Sequence, residues 1–171
     1  MSETQDDAGA TNDETAKVSE LMRGITFAML TTVAEDGTCR ARPMAHQDVE
    51  FDGDLWFVTS RKAPKVEEIA TNPKVGVTLS STRSWVSISG SAAVVEDREK
   101  LEQVWSKDMD AWFPQGPDDS VVLIKVTGKS AEYWDGPGGR VATVLSFLKV
   151  KATGDRYDAN DHDKVDLQPT G

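Results

Sequence analysis

Residues 55–73 read LWFVTSRKAPKVEEIATNP. Leu55 to Val58 is an apolar, β-prone run that ends in two hydroxyls, Thr59 and Ser60. Arg61, Lys62 and Lys65 follow, and Pro64 suits the first position of a helix, where its missing N–H leaves no bond unmade. Val66, Ile69 and Ala70 recur at i, i+3 and i+4, and Asn72-Pro73 closes the helix. A strand that ends in hydroxyls and passes at once into a helix N-terminus bearing lysines suits an anion. Main-chain N–H groups, the positive end of the helix dipole and an ammonium would converge on one point. Taken alone, the same residues read equally as a strand, a basic turn and a surface helix, so the flanking chain has to decide.

Upstream, residues 1–12 read as disordered, and an amphipathic helix is expected from Asp13, with Val18, Leu21 and Met22 on one face and Gly24 as its stop. Ile25 to Val33 predicts a strand closed by a hairpin turn at Glu35-Asp36-Gly37. In the next strand Arg40 and Arg42 fall on one face, and Cys39, Ala41 and Pro43 on the other. Pro43 implies an edge, a bulge or an interrupted ladder. The two arginines read equally as a ligand wall or as solvated strand residues. Cys39, small and apolar, is expected in the core. Phe51 to Asp54 is a tight turn into the strand of the opening stretch.

Downstream, strands are expected at Lys74 to Leu79 and Trp85 to Val95, and a helix over 97–107 with Leu101, Val104 and Trp105 as its apolar stripe. Asp110 to Asp119 reads as an aromatic-rich loop, followed by a strand or strand pair at Val121 to Val126 and Ser130 to Trp134. Val141, Val144, Leu145 and Leu148 predict a last helix. About six strands in antiparallel succession with few helices give a mainly β fold of the α+β kind, a barrel with flanking helices. The short turns at Asp36-Gly37 and Asp52-Gly53 favour this over a parallel α/β sheet.

Composition bounds the function. At 171 residues the chain is expected to form one domain. An apolar content of 38% with no 18-residue apolar run argues against a membrane span. The acidic start, MSETQDDAGATNDET, is the reverse of a targeting signal, and the single Cys39 makes no internal disulfide, so a cytoplasmic location is expected. The net charge of −10 is concentrated in the tails: residues 17–154 hold 19 acids against 17 bases. Both tails, 1–14 and 153–171, therefore read as solvated acidic segments around a near-neutral body. No basic patch with interleaved aromatics appears, so no nucleic-acid partner is expected.

Chemistry of the usual kinds is missing. His46, His162 and Cys39 do not fall at metal-ligand spacing, so no metal is expected, and His46 reads as structural or solvated. No GxSxG, phosphate-binding P-loop or GxGxxG fingerprint occurs. No catalytic residue is identifiable. An enzyme built this way would rely on a cofactor for its chemistry.

Arg42-Pro43-Met44, Trp56-Phe57-Val58-Thr59-Ser60, Lys65-Val66 and Asn72-Pro73 together resemble the FMN-binding split-barrel superfamily of pyridoxamine 5′-phosphate oxidase-like proteins. Val86-Ser87-Ile88-Ser89-Gly90, Trp112-Phe113-Pro114-Gln115-Gly116 and Ala131-Glu132-Tyr133-Trp134-Asp135 are similar to its bacterial general stress protein branch. The likeness covers about residues 15–152, which would be the FMN-binding split-barrel domain. It implies a six-stranded antiparallel split β-barrel that dimerises with itself and holds flavin at the subunit interface. By that resemblance Arg42 and Lys65 would meet the flavin phosphate, with Lys65 preferred over Lys62 by its spacing to Pro73. Pro43, Met44 and Ala45 would lie beside the ring, Val58, Thr59 and Ser60 would flank it, and Trp112 and Trp134 would be walls supplied by the second subunit.

The implied cofactor is FMN, with FAD, deazaflavin or haem as alternatives. The implied activity is stress-related electron or hydride transfer between a reduced nicotinamide and a small-molecule acceptor, with a non-enzymatic flavin store or sensor as the alternative. Pyridoxamine phosphate oxidation is not implied. The oxidase proper ends in a basic, histidine-containing substrate motif, whereas this chain ends in KATGDRYDANDHDKVDLQPTG. Ser120, where the stress-protein pattern has a proline after two aspartates, reads as a loop variation.

Overall fold

The computed structural model describes residues 6–46, 51–136 and 161–167. Alternating apolar and polar residues become a curled antiparallel sheet with helices at its flanks. Helix α1 (Asp6–Met22) leads into β1 (Phe27–Val33) and β2 (Cys39–Ala45), and β3 (Asp54–Ser60) runs straight into α2 (Pro64–Thr71). Strands β4 (Lys74–Ser80) and β5 (Ser84–Val95) follow, then α3 (Arg98–Val104), a 3-10 helix (Lys107–Ala111), β6 (Val121–Asp135) and β7 (Asp161–Asp166).

The ladders run β2-β1-β4-β5-β6-β3, and β7 also pairs with β6. Every pairing is antiparallel. Strands β2 and β3 end the path and lie near each other without a ladder among the described residues. That opening is the split of the expected six-stranded barrel. Pro43 is accommodated because β2 is an edge strand, paired among the described residues with β1 alone.

Period two sorts the side chains. Ala28, Leu30, Phe57, Val77, Leu79, Val86, Ile88, Ile124 and Val126 point inward and pack with Val18 and Met22 of α1 and Ile69 of α2. Each large apolar side chain buried this fully contributes about 1.5–3 kcal/mol. Val121 and Leu123 point the other way, into a second cluster with Leu101 and Val104 of α3. The unbroken run Val121 to Ile124 is thus a strand buried on both faces, which explains why it does not alternate.

Several expectations need correction. Helix α1 begins at Asp6, inside the stretch expected to be disordered, where acidic residues near a helix start suit the dipole. Strand β7 falls within the supposed acidic C-terminal tail, because the half of β6 beyond its ladder with β3 offers a free edge at Ser130–Asp135. Strand β6 is a single strand rather than a pair, its register with β5 shifting between Ser89 and Gly90. The Asp36-Gly37 turn makes the β1–β2 hairpin, but the Asp52-Gly53 turn makes none, since β3 pairs with β6. Cys39 is exposed, not in the core, because it opens an edge strand whose outer face is uncovered. Helix α3 is shorter than expected, with Trp105 as its C-cap. The helix expected around Val141 to Leu148 lies outside the described residues. No helix among the described residues is long and apolar enough to cross a membrane.

Candidate functional site

Strand β3 delivers Thr59 to the inner face of the sheet, and α2 starts five residues later with Pro64 at its first turn. The helix places Lys65 and Glu68 one turn apart on the same face. Lys65 is half-buried, and its Nζ donates to Thr59 Oγ1 at 3.1 Å. An ammonium has three hydrogens to donate, and the Thr59 hydroxyl is the partner found for it among the described residues. Burial, and then the adjacent Arg42 charge, push the Lys65 ammonium below the usual lysine range, while Glu68 acts in the opposite sense.

Glu68 is only 7% exposed. Its Oε1 accepts from Arg40 Nη1 at 2.9 Å, and its Oε2 from Arg42 Nη2 at 2.9 Å. The buried Thr32 hydroxyl donates to the same Oε2 and accepts from Arg42 Nη1. The Thr32 hydroxyl first, and then the Arg42 guanidinium, hold this carboxyl below the usual carboxylate range against the burial that would raise it. Arg40 and Arg42 do share one face of β2, as their spacing predicted, and the group that they face is Glu68.

A cavity of about 240 Å³ opens beside Lys65. Pro43, Met44 and Ala45 of β2, Val58 and Thr59 of β3 and Lys65 line it, so the fold brings six of the expected residues to one place. Trp112, expected as a wall from the second subunit, lines the cavity of its own chain. Phe27, Met109 and Phe113 complete the lining. Arg42 does not line it; it is engaged with Glu68, and its charge acts on Lys65. Ser60 and Lys62 form the turn into α2, where Ser60 Oγ accepts from the Lys62 N–H at 3.3 Å. Trp134 faces a different cavity, of about 610 Å³, with Trp85, Met29 and Phe27.

A third cavity, of about 510 Å³, adjoins the first and shares Phe27, Ala45, Met109 and Trp112 with it. His46 lines it together with Asp108 and Ser106. The His46 Nδ1 sits 2.9 Å from the Ile25 carbonyl and must donate to it, since a carbonyl can only accept. A fourth, of about 470 Å³, is acidic, with Glu35, Asp36 and Glu67 beside Arg40 and Glu68, and is no place for an anion. No cluster of metal-ligating side chains occurs among the described residues.

By sequence alone Glu68 has no role beyond opposing, with Glu67, the basic cluster, and Phe27, Met109 and Phe113 take no site role. Met109 belongs to a five-residue 3-10 helix, too short to show a helical period, and Phe113 follows it in the loop. Phe27 is the first residue of a strand whose outer face is apolar. Glu68 carried one signal, its position one turn after Lys65 and next to the buried Ile69.

The sequence profile of the family described as Pyridoxamine 5′-phosphate oxidase like matches residues 13–158. The chain belongs to that family. It is 30% identical over 129 residues to Protein bli-3 of Neurospora crassa, covering 68% of this chain and 62% of that one. It is 27% identical over 77 residues to General stress protein 26 of Bacillus subtilis, covering 42% of this chain and 55% of that one. The chain therefore spans less than two thirds of either relative's length. Among solved structures, a Jannaschia sp. CCS1 protein assigned as general stress protein 26 superposes with a TM-score of 0.74 at 25% identity, covering 91% of this chain and 99% of that one. The general stress FMN/FAD binding protein of Xanthomonas citri superposes with a TM-score of 0.65 at 25% identity, covering 75% and 93%.

Proposed function

We propose that this pyridoxamine 5′-phosphate oxidase-like chain binds FMN in the cavity between β2, β3 and the 3-10 helix. In that role it passes electrons or hydride from a reduced nicotinamide to a small acceptor in the cytoplasm. The observation that carries the reading is the Lys65 ammonium. It is half-buried at the cavity wall, has hydrogens to spare beyond Thr59, and lies next to a second cation. Two cations held together in partial burial are relieved by an anion, and a phosphate at that end leaves the apolar residues Pro43, Met44, Val58, Trp112 and Phe113 for a flat ring. The Xanthomonas citri relative, described as FMN/FAD binding, supports the same ligand class.

Bound flavin would supply the redox chemistry. The chain's share is to hold and shield it. Lys65 meets the phosphate by charge-assisted bonds, Thr59 fixes the ammonium, and the β2 and β3 residues set the plane of the ring. The adjoining cavity with His46 is the place for the small acceptor: its Nδ1 is committed to the Ile25 carbonyl, which leaves Nε2 as the ring nitrogen to meet it.

The site closes in a homodimer under the same proposal. Phe27 is 54% exposed, Met29 39% and Trp85 46%, and they border the cavity that also contains Trp134. Phe27 joins this apolar patch to the ring cavity, so a second copy seated on it would cover both. Trp112, at 74% exposed, also awaits such cover. The test is to load the purified chain with FMN and mix it anaerobically with NADH or NADPH. Bleaching of the oxidised flavin band at a catalytic rate supports the oxidoreductase, and a flavin that stays oxidised leaves a store or sensor.

A further inference from the structure

Glu68 is out of place in an anion site. Its charge opposes the ligand, and burying a carboxylate costs several kcal/mol unless it is well paired. Here the pairing is complete: two guanidinium groups and a hydroxyl converge on two carboxylate oxygens. Arg42 turns both terminal nitrogens to the Thr32–Glu68 pair, so the plane of its guanidinium is set by them. Through Glu68 the start of α2, and with it Lys65, is tied to β1 and β2. The remaining charges nearby, Glu35, Asp36 and Glu67, line the outer cleft beside Arg40 rather than the cavity.

We propose that Glu68 is the positioning residue of this grip, fixing Arg42 and offsetting one of three cations so that the net double positive charge suits a phosphate monoester dianion. This rests on the flavin-phosphate reading of the cavity. A phosphate monoester loses its second proton near pH 6, so at neutral pH the terminal group of FMN carries two charges, whereas each phosphate of the FAD diphosphate carries one. The grip therefore selects FMN over FAD. Simple attraction predicts that removing Glu68 tightens every anion. Positioning predicts the reverse, since Arg42 loses its anchor and Lys65 loses a neighbouring carboxylate that favours its charge.

The experiment titrates FMN, FAD and riboflavin into the full-length chain and its Glu68→Gln variant from pH 6.5 to 9.5, reading flavin fluorescence, with thermal melts as a folding control. The expected result is an FMN preference of at least tenfold over FAD in the unaltered chain. Glu68→Gln should lose about tenfold for FMN and at most twofold for riboflavin, and its FMN binding should fall away at a lower alkaline pH. FMN binding that is equal or tighter at every pH, or an equal loss for riboflavin, overturns the proposal. Should Glu68→Gln not fold, Thr32→Val removes the hydroxyl that holds Arg42 Nη1 and Glu68 Oε2 while leaving their direct ion pair. It should give a smaller loss that is still selective for FMN, an equal loss for riboflavin overturning the proposal. A ligand-free measurement separates this proposal from the flavin reading: ¹³C reductive methylation of the lysines, with Lys65→Arg for assignment, follows the titration of Lys65 itself. If the unaltered chain binds neither FMN nor riboflavin, the flavin reading falls. A Lys65 midpoint lower in the Glu68 variant then still supports the role of Glu68, and an unmoved midpoint overturns it.

Discussion

Replacing Lys65 with methionine removes the ammonium while keeping most of the side chain's length and apolar stem. In the structure that ammonium has one hydroxyl partner, Thr59 Oγ1 at 3.1 Å, and faces a cavity whose other walls are largely apolar. A hydrogen bond to a charged group contributes about 1.5–3 kcal/mol, and each 1.4 kcal/mol is tenfold in affinity. Because Lys65 is only half-buried, water takes part of that value, so the expected loss for FMN lies toward the lower end, about tenfold to thirtyfold. Riboflavin, which has the ring and lacks the phosphate, should bind Lys65→Met and the unaltered chain within about twofold of each other. Fluorescence titration with both ligands reads the difference directly. Melting temperature should be unchanged or raised, since burial disfavours the ammonium in the folded chain. An equal loss for FMN and riboflavin would show that Lys65 shapes the ring cavity rather than meeting a phosphate, and no loss for either would remove it from the site.

The Glu68 carboxyl sits below its ordinary value of 4.5, held there first by Thr32 and then by Arg42, so its stabilisation is fully present above that value and disappears as pH falls through the depressed one. Urea unfolding across the acid range should show this loss in the unaltered chain and a smaller one in Glu68→Gln. Gly90→Ala should destabilise by about 1–3 kcal/mol, because a Cβ there would sit 2.2 Å from the Thr127 carbonyl oxygen in the rigid β5–β6 ladder. Gly76→Ala, whose Cβ would find its nearest atoms at 4.0 Å, should be tolerated, and thermal melts of the two variants check the contrast. Trp85→Glu puts a charge on the exposed patch with Phe27 and Met29, so it should shift sedimentation velocity from dimer to monomer without lowering the melting temperature of the isolated chain.

The strand-to-helix passage at Leu55 to Pro73 was legible because each boundary has a local cause: a β-prone run, a proline at the first helical turn and an Asn-Pro stop. The split was only half visible. Pro43 marked β2 as an edge, but nothing local says that β3 pairs with the distant β6. Strand β7 was hidden for a related reason. Its residues have the composition of a solvated tail, and only the free edge of β6 makes a strand of them. Within the site, Lys65, Thr59 and the β2 wall could be picked out by spacing and resemblance. Arg42 was assigned a ligand without its partner, because a glutamate on a short helix reads as solvent-facing until the helix is laid against β1 and β2. Cys39 erred the other way, an apolar residue on an uncovered face.

The most direct test of flavin binding is the absorbance spectrum of the full-length chain as purified, with the released chromophore identified by mass and its amount set against the protein. The account predicts an oxidised-flavin spectrum, FMN as the released species, and a stoichiometry approaching one per chain after reconstitution. A deazaflavin or haem spectrum, or a chain that takes up no FMN when an excess is supplied, would contradict it.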